Sequence, residues 1–593
     1  MQSQDIDTHS ITRVRLWYAA LILLFGVFAL RLFYIQIIRY DHFKQVAQSD
    51  QVHEYEVVPT RGAIYATTSE GGSVPLVINQ RLFTLYADPT VVKDGDAAAR
   101  TLAPIVGVGE QELRELLDNK KRRYVVLAKR LTKEQSAKIL SFEFAGIGTQ
   151  ENNYRSYPQG TLASQTLGFV NDEGAGKYGV EQALNSTLAG TTGWLKAVTD
   201  VNGVPLAAND ANLSRKPVAG KDVKLTVDIG MQTQLEDILR RAQEKFQSKM
   251  ISAVVLETQT GAVKAMANYP TYDPAAYQTV QDGTLFQNGV VSNAIEPGSI
   301  TKVFTTAAAL DKGVINANST YNDPGAWQID GARILNVAEG KGSGPQSIKS
   351  LLNLSLNTGA TWELMQLGGG KINMQGRSVL YDYFVNKYRL SKVTGVEQGY
   401  ESTGYVPEAE DNGAGINLTF ANMSFGQAYN ATAMQMGAAL SAIVNGGTFY
   451  QPRLVDEIQA QDGTTQKVDP KVVAKNVVSP QVSTDIVGLL DYVTKEHVNS
   501  FKYMDFDDKY IVGGKTGTAQ IADNKTRLYR EDAFNGTFMG FVGGDKPQYT
   551  IVIYNIEPRG YAGYAGAQTG QPVFADVAHM LIDNYGVQPK TSP

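Results

Sequence analysis

Three short polar stretches in the C-terminal half carry residue types suited to acyl transfer: Ser299-Ile300-Thr301-Lys302, Ser355-Leu356-Asn357 and Lys515-Thr516-Gly517-Thr518. A serine hydroxyl is a poor nucleophile until a base takes its proton. Ser299 follows Pro297-Gly298, which can end a loop and start a helix there. Lys302 then shares a helix face with Ser299. Lysine can act as the base only as a free amine, so burial or a second cation must lower its pKa. Lys515 is the candidate cation. Ser355 can relay a proton between that base and a leaving amine. Asn357 can hold both Lys302 and a substrate amide. Gly517 lets a substrate backbone approach a strand edge. The Thr516 and Thr518 hydroxyls can bind a terminal carboxylate, with Lys515 adding charge. The N–H groups of Ser299 and Thr518 can form the oxyanion hole. A Ser-His-Asp arrangement finds no support, because only His497 and His579 lie in this half and neither has motif context. Each stretch alone could arise by chance. All three in this order, with these flanks, form a strong signal.

These residues must be brought together by elements that the sequence pattern outlines. KLTVDIG at 224–230 reads as a strand leading into the helix MQTQLEDILRRAQEKF. SAVVLETQTGAVKAMANY at 252–269 reads as a hairpin turning at Thr260-Gly261. TFMGFVGG and YTIVIYNI read as two more strands, and DVAHMLIDNY as a closing helix. Hairpins mixed with helices suggest an α+β domain. GYAGYAGAQTG at 560–570 reads as a mobile loop. Upstream, residues 39–58 look helical and then extended, and 100–145 carry charged amphipathic helical patterns. The polar run at 205–222 suggests a domain boundary. The expected organisation is a tail at 1–15, an anchor at 16–38, a first exterior domain at 39–222, a second at 223–585 and a tail at 586–593.

The anchor rests on LWYAALILLFGVFAL at 16–30, continued past Arg31 by LFYIQII to Ile38. A helix over 16–38 can cross a ~30 Å hydrocarbon core. The run ends in Phe33, Tyr34 and Ile35, not in the small residues of a cleavage site. Arg13 and Arg15 favour a cytoplasmic N-terminus. Arg31, near the outer end, can snorkel or contact a second membrane protein. The net charge of −5 argues against nucleic-acid binding. The absence of cysteine excludes a disulfide scaffold and a thiol nucleophile. Five scattered histidines give no metal-ligand spacing, so no metal or cofactor is expected. Gly174 to Gly179 matches GxGxxG but lacks a βαβ context. Gly514-Lys515-Thr516 is not a P-loop, because residue 509 is Lys.

At the three stretches the sequence resembles the class B penicillin-binding proteins. These combine an S-x-x-K nucleophile segment, a second S-x-N motif and K-T-G, here EPGSITKVFT, SLNTG and GGKTGTAQ. TGAVKAMANYPTYDP at 260–274, MSFGQAYNATAMQMGAALSAIVNGG at 423–447 and PVFADVA at 572–578 match the family as well. So do RLFYIQI, PTRGAIY, RSYPQGTLASQTLGFV and KYGVEQALNSTLAG nearer the N-terminus. Tyr65, Gln165 and the short SNAIEPGS stretch depart from the family's habits. The resemblance implies a penicillin-binding transpeptidase fold, an antiparallel sheet sandwiched by helices. An elongated mixed α/β pedestal of the dimerisation type and one transmembrane helix would precede it. It implies a single-pass protein of the bacterial plasma membrane with its catalytic domain outside. Ser299 would attack a stem peptide ending in D-Ala-D-Ala, expel D-alanine and pass the acyl group to an acceptor amine. β-Lactams would acylate the same serine. A multi-pass glycan polymerase and other divisome or elongasome proteins are the implied partners, through Arg31 and the pedestal. The motif flanks lean towards septal synthesis. An elongation role, a β-lactamase of the same fold, and a non-catalytic β-lactam sensor or division scaffold are the alternatives.

Overall fold

A strand whose two faces are both apolar must be covered on both sides, and Met250–Glu257 is such a strand. The computed structural model describes residues 8–43, 52–198, 213–336, 340–410, 413–523 and 528–591. In chain order, the catalytic half contains helix α1 (Ile229–Phe246), strands β1 (Met250–Glu257) and β2 (Val263–Tyr269), and helices α2 (Lys302–Asp311), α3 (Asn357–Leu367), α4 (Ala433–Val444) and α5 (Pro480–His497). Strands β3 (Ile511–Ala522), β4 (Tyr529–Gly543) and β5 (Pro547–Ile556) and helix α6 (Gln571–Asn584) follow. The strands form one antiparallel sheet in the order β2-β1-β5-β4-β3. Strand alternation then divides the core. Ile251, Ala253 and Val255 join Leu235 of α1 and Phe574 of α6 on one face. Val254 and Leu256 join Phe304 of α2 and Met434 of α4 on the other. Each fully buried large apolar side chain there contributes roughly 1.5–3 kcal/mol. This is the helix-covered antiparallel sheet expected from the sequence.

Local chemistry sets the helix starts. Asp228 caps α1 by accepting from the N–H groups of Gly230 and Met231. Thr432 and Gln435 make a reciprocal capping box at α4. Ser479 caps α5, with Pro480 at its first turn.

Upstream, strands Ser73–Ala87, Val125–Leu131 and Ile147–Ser156 pack with helices Gly95–Val106, Glu110–Asp118 and Lys133–Leu140 around Leu85, Leu102, Leu113 and Leu127, while Ile64 and Ala66 of strand Ile64–Thr67 join the larger core. Ile64–Thr67 also pairs in parallel with Asp222–Asp228, which pairs antiparallel with Val455–Gln459. One sheet therefore joins the two regions. Three N-terminal motifs converge on a buried charge cluster. Glu181 accepts from Arg61 Nε at 2.7 Å and from Arg155 Nε at 2.8 Å. Gln165 is buried and donates to the carbonyl of Pro270 at 3.0 Å.

The chain divides into two compact units, Met1–Pro59 with Gly190–Ala219, and Thr60–Ala189 with Gly220–Pro593. The first holds the helix Thr8–Phe33, extended by a π turn at Tyr34–Ile38. Arg13–Ile38 is long and apolar enough to cross a membrane, and none of it is buried in the protein. Part of the polar boundary run at 205–222 lies outside the described residues. The expected loop at 560–570 is corrected in its second half, where Gly566–Gly570 forms a π turn against β3 and β4.

Candidate active site

Ser299 lies in a 3-10 turn, Gly298–Thr301, that runs directly into α2. The turn is pressed against β3. A Cβ at Gly298 would meet Thr518 O at 2.7 Å, and φ there is +67°. Gly426 closes the other side: Gly298 N donates to its carbonyl at 3.0 Å, and a Cβ at Gly426 would sit 1.9 Å from Gly298 O. The nucleophile turn is thus clamped between two backbones where only glycine fits.

Lys302 joins the first two motifs. Its Nζ lies 2.6 Å from Ser299 Oγ, 2.8 Å from Asn357 Oδ1, 3.0 Å from Ser355 O and 3.2 Å from Ser355 Oγ. The lysine is fully buried. Burial, reinforced by the nearby Lys515 cation, holds its pKa well below the usual lysine range. Ser355 sits between two helices with φ of +57°, a region that non-glycine residues enter only under constraint. That conformation aims both of its oxygens at Lys302. Asn357 opens α3, and its Nδ2 donates to Leu335 O at 2.9 Å, which leaves its second amide hydrogen for a ligand.

The third motif occupies β3 alongside. Lys515 is buried, and desolvation lowers its pKa to about 7. Its Nζ donates to Thr516 O at 2.9 Å. Thr518 Oγ1 accepts from Gly566 N at 3.0 Å. Gly517 also has a packing reason. A Cβ there would meet Thr537 Oγ1 at 2.2 Å and Pro297 O at 2.7 Å, so the glycine seats the nucleophile loop.

All three motifs border one cleft of about 770 Å³, lined by Ser299, Ser355, Asn357, Thr516 and Thr518 among others. Sequence reasoning missed several of its features. His497 lines it, and its Nδ1 accepts from Gln571 Nε2 at 3.1 Å. Burial and Lys515 together push His497 down to about 4, so it is neutral at physiological pH. Glu363 is fully buried beside α2, and its carboxyl oxygens lie 2.8 and 3.1 Å from Thr306 Oγ1. Desolvation raises it to about 8. Glu296, just before the nucleophile, accepts from Ala428 N and from the Tyr529 hydroxyl. His497 and Glu363 stand at no motif spacing, so pattern reading has no handle on them, and Glu296, though inside EPGSITKVFT, gives no sign of its partners. Among the described residues no cluster of histidines and acids could hold a metal ion.

Fold and cleft together define an active-serine acyl-transfer class, and comparison with known proteins places the chain within it. Residues 251–579 match the penicillin-binding protein transpeptidase domain, and 56–225 match the penicillin-binding protein dimerisation domain. Stage V sporulation protein D of Bacillus subtilis is 28% identical over 96% of this chain and 86% of its own length. The probable peptidoglycan D,D-transpeptidase PenA of Neisseria gonorrhoeae is 25% identical over 97% of this chain and 93% of its own. The crystal structure of a peptidoglycan synthetase from Bifidobacterium adolescentis superposes with a TM-score of 0.69 at 24% identity, covering 91% of this chain and 98% of that one. The chain belongs to the penicillin-binding transpeptidase family, with class B architecture. It is a penicillin-binding serine transpeptidase of peptidoglycan synthesis.

Proposed function

We propose that Ser299 is the acylated nucleophile and Lys302 its general base. The observation that carries this is the environment of Lys302 Nζ. Two of its four neighbours, Ser355 O and Asn357 Oδ1, can only accept hydrogen bonds. A neutral amine has two hydrogens and one lone pair. The carbonyl oxygens take the hydrogens, and the lone pair is left for the Ser299 hydroxyl at 2.6 Å. The depressed pKa of Lys302 supports this free-base state.

Ser299 Oγ attacks the carbonyl of the penultimate D-alanine while Lys302 accepts its proton. The oxyanion sits between the N–H groups of Ser299 and Thr518. Ser355 passes the proton to the departing D-alanine amine. Asn357 holds Lys302 and the substrate amide, and Lys515, Thr516 and Thr518 hold the terminal carboxylate. An acceptor amine then takes the acyl group by the reverse proton path, which completes a cross-link. A β-lactam enters by the same attack on its ring carbonyl.

The apolar helix, with Arg13 and Arg15 before it, supports a cytoplasmic N-terminus and a catalytic domain on the outer face. The family matches over 56–225 and 251–579 support a pedestal at 39–222 and a transpeptidase domain at 223–585. The motif flanks favour septal cell-wall synthesis, with a multi-pass glycan polymerase docking on the anchor and pedestal. Labelling with a fluorescent penicillin tests the assignment. Stable labelling that disappears in Ser299→Ala is expected. Persistent labelling of that variant would overturn it, and rapid loss of the label from the native protein would indicate a β-lactamase.

A further inference from the structure

Among the described residues lining the cleft, the side-chain charges left unpaired are positive, although the chain as a whole carries −5. Arg333, on the hairpin Ala326–Ile329 and Ala332–Leu335, and Lys341 both line the cleft wall. Both side chains are exposed, and neither has an ion pair or hydrogen bond among the described residues. They lie close together: a Cβ built at Gly340, the residue before Lys341, would be 3.5 Å from Arg333 Nη2. The acid on the same wall, Asp323, is already committed. It accepts from Thr358 Oγ1, Asn336 Nδ2, Gly325 N and the Ser343 hydroxyl.

This wall is fixed to the reacting groups. Leu335 O accepts from Asn357 Nδ2 at 2.9 Å, and Asn336 Oδ1 accepts from Thr358 N at 3.1 Å. Arg333 and Leu335 are two apart on one strand and so face the same side, and both line the cleft. The carboxylate anchor proposed above, Lys515 with Thr516 and Thr518, belongs to β3 and not to this wall. The cleft therefore offers a second cationic position, preset relative to Asn357, with no anion among the described residues to satisfy it. Two neighbouring cations repel each other until a counter-charge arrives, and a guanidinium is suited to a carboxylate.

We infer that Arg333 and Lys341 form a subsite for a second carboxylate on the stem peptide, away from its D-Ala-D-Ala terminus. The inference rests on the transpeptidase reading of the cleft. It makes the enzyme selective for stem peptides that keep this carboxylate free over those in which it is amidated.

The test uses the full-length protein in detergent and two matched pairs of synthetic peptides, each carrying either the free carboxylate or its carboxamide. Release of D-alanine from the donor pair reads acylation. Transfer to the acceptor pair reads aminolysis. The native enzyme should prefer the carboxylate form by about tenfold in kcat/KM in one of the two steps. The step that discriminates identifies the strand bearing the group. Arg333→Gln with Lys341→Gln should abolish the preference, and each single change should reduce it. Acylation by benzylpenicillin, whose acyl side chain is neutral, should change less than twofold and so reports folding. Native enzyme that treats both forms alike in both steps would overturn the subsite. So would a preference that survives in the double variant. Failure of benzylpenicillin to acylate the native enzyme would instead strike the underlying assignment of Ser299.

Discussion

Lys302 has no solvent exposure, yet its amine touches four oxygens drawn from two motifs. That arrangement is costly for an ammonium and suitable for a free amine. Lys302→Ala should slow acylation by penicillin roughly 10²–10⁴-fold with the fold retained, read from stopped-flow labelling. Glu363 makes a second prediction at this scale. Its carboxyl is raised to about 8 in the folded protein, against 4.5 when solvated. The folded state therefore holds a proton that the unfolded state has released between pH 4.5 and 8. Stability contributed by this group is present below 4.5 and is lost as pH rises through 8. Glu363→Leu should stabilise the protein at pH 8 by roughly 1–4 kcal/mol, and the gain should narrow towards pH 5. Thermal unfolding at the two pH values measures it. The motif residues were legible in the sequence because acyl transfer fixes their types and spacing. Glu363, His497 and Arg333 were not, since burial and proximity across distant segments leave no periodic trace.

Among the elements, strands and helices follow from alternation and caps, and the reading of 224–269 and of the last two strands matches the sheet found. Close backbone approach is less readable. At Gly517 the sequence suggests room for substrate, and the structure adds Thr537 Oγ1 and Pro297 O in the space a side chain would need. Nothing in a KTG motif distinguishes those two reasons. Gly426 is the sharper case, with φ of +105° and Gly298 O at 1.9 Å from the position of a Cβ. Gly426→Ala must push the nucleophile turn away from β3 as well as strain its own backbone. Such an overpacked, strained site should lose about 1–3 kcal/mol and reduce acylation more than tenfold in the folded fraction. Chemical denaturation and labelling on the same sample separate the two effects.

On the scale of the whole molecule, one apolar N-terminal helix accompanies two regions tied by a shared sheet, and the upstream region is held internally by a buried Arg61–Glu181–Arg155 cluster. The pedestal motifs were recognisable by resemblance, but their convergence on Glu181 required coordinates, because residues 61, 155 and 181 have no common spacing. The described residues lining the cleft all belong to the second compact unit. Removing residues 1–43 should therefore release the protein from membranes with its penicillin acylation rate unchanged within about twofold, measured on the soluble fraction. The proposed mechanism requires three chain segments, 299–302, 355–357 and 515–518, to meet at one reacting carbonyl. A crystal structure of the benzylpenicillin adduct tests this most directly. It should show an ester to Ser299 Oγ, the ester carbonyl oxygen between Ser299 N and Thr518 N, and the ligand carboxylate at Thr516 and Thr518. An adduct on another residue, or a carbonyl oxygen turned away from Thr518 N, would contradict it.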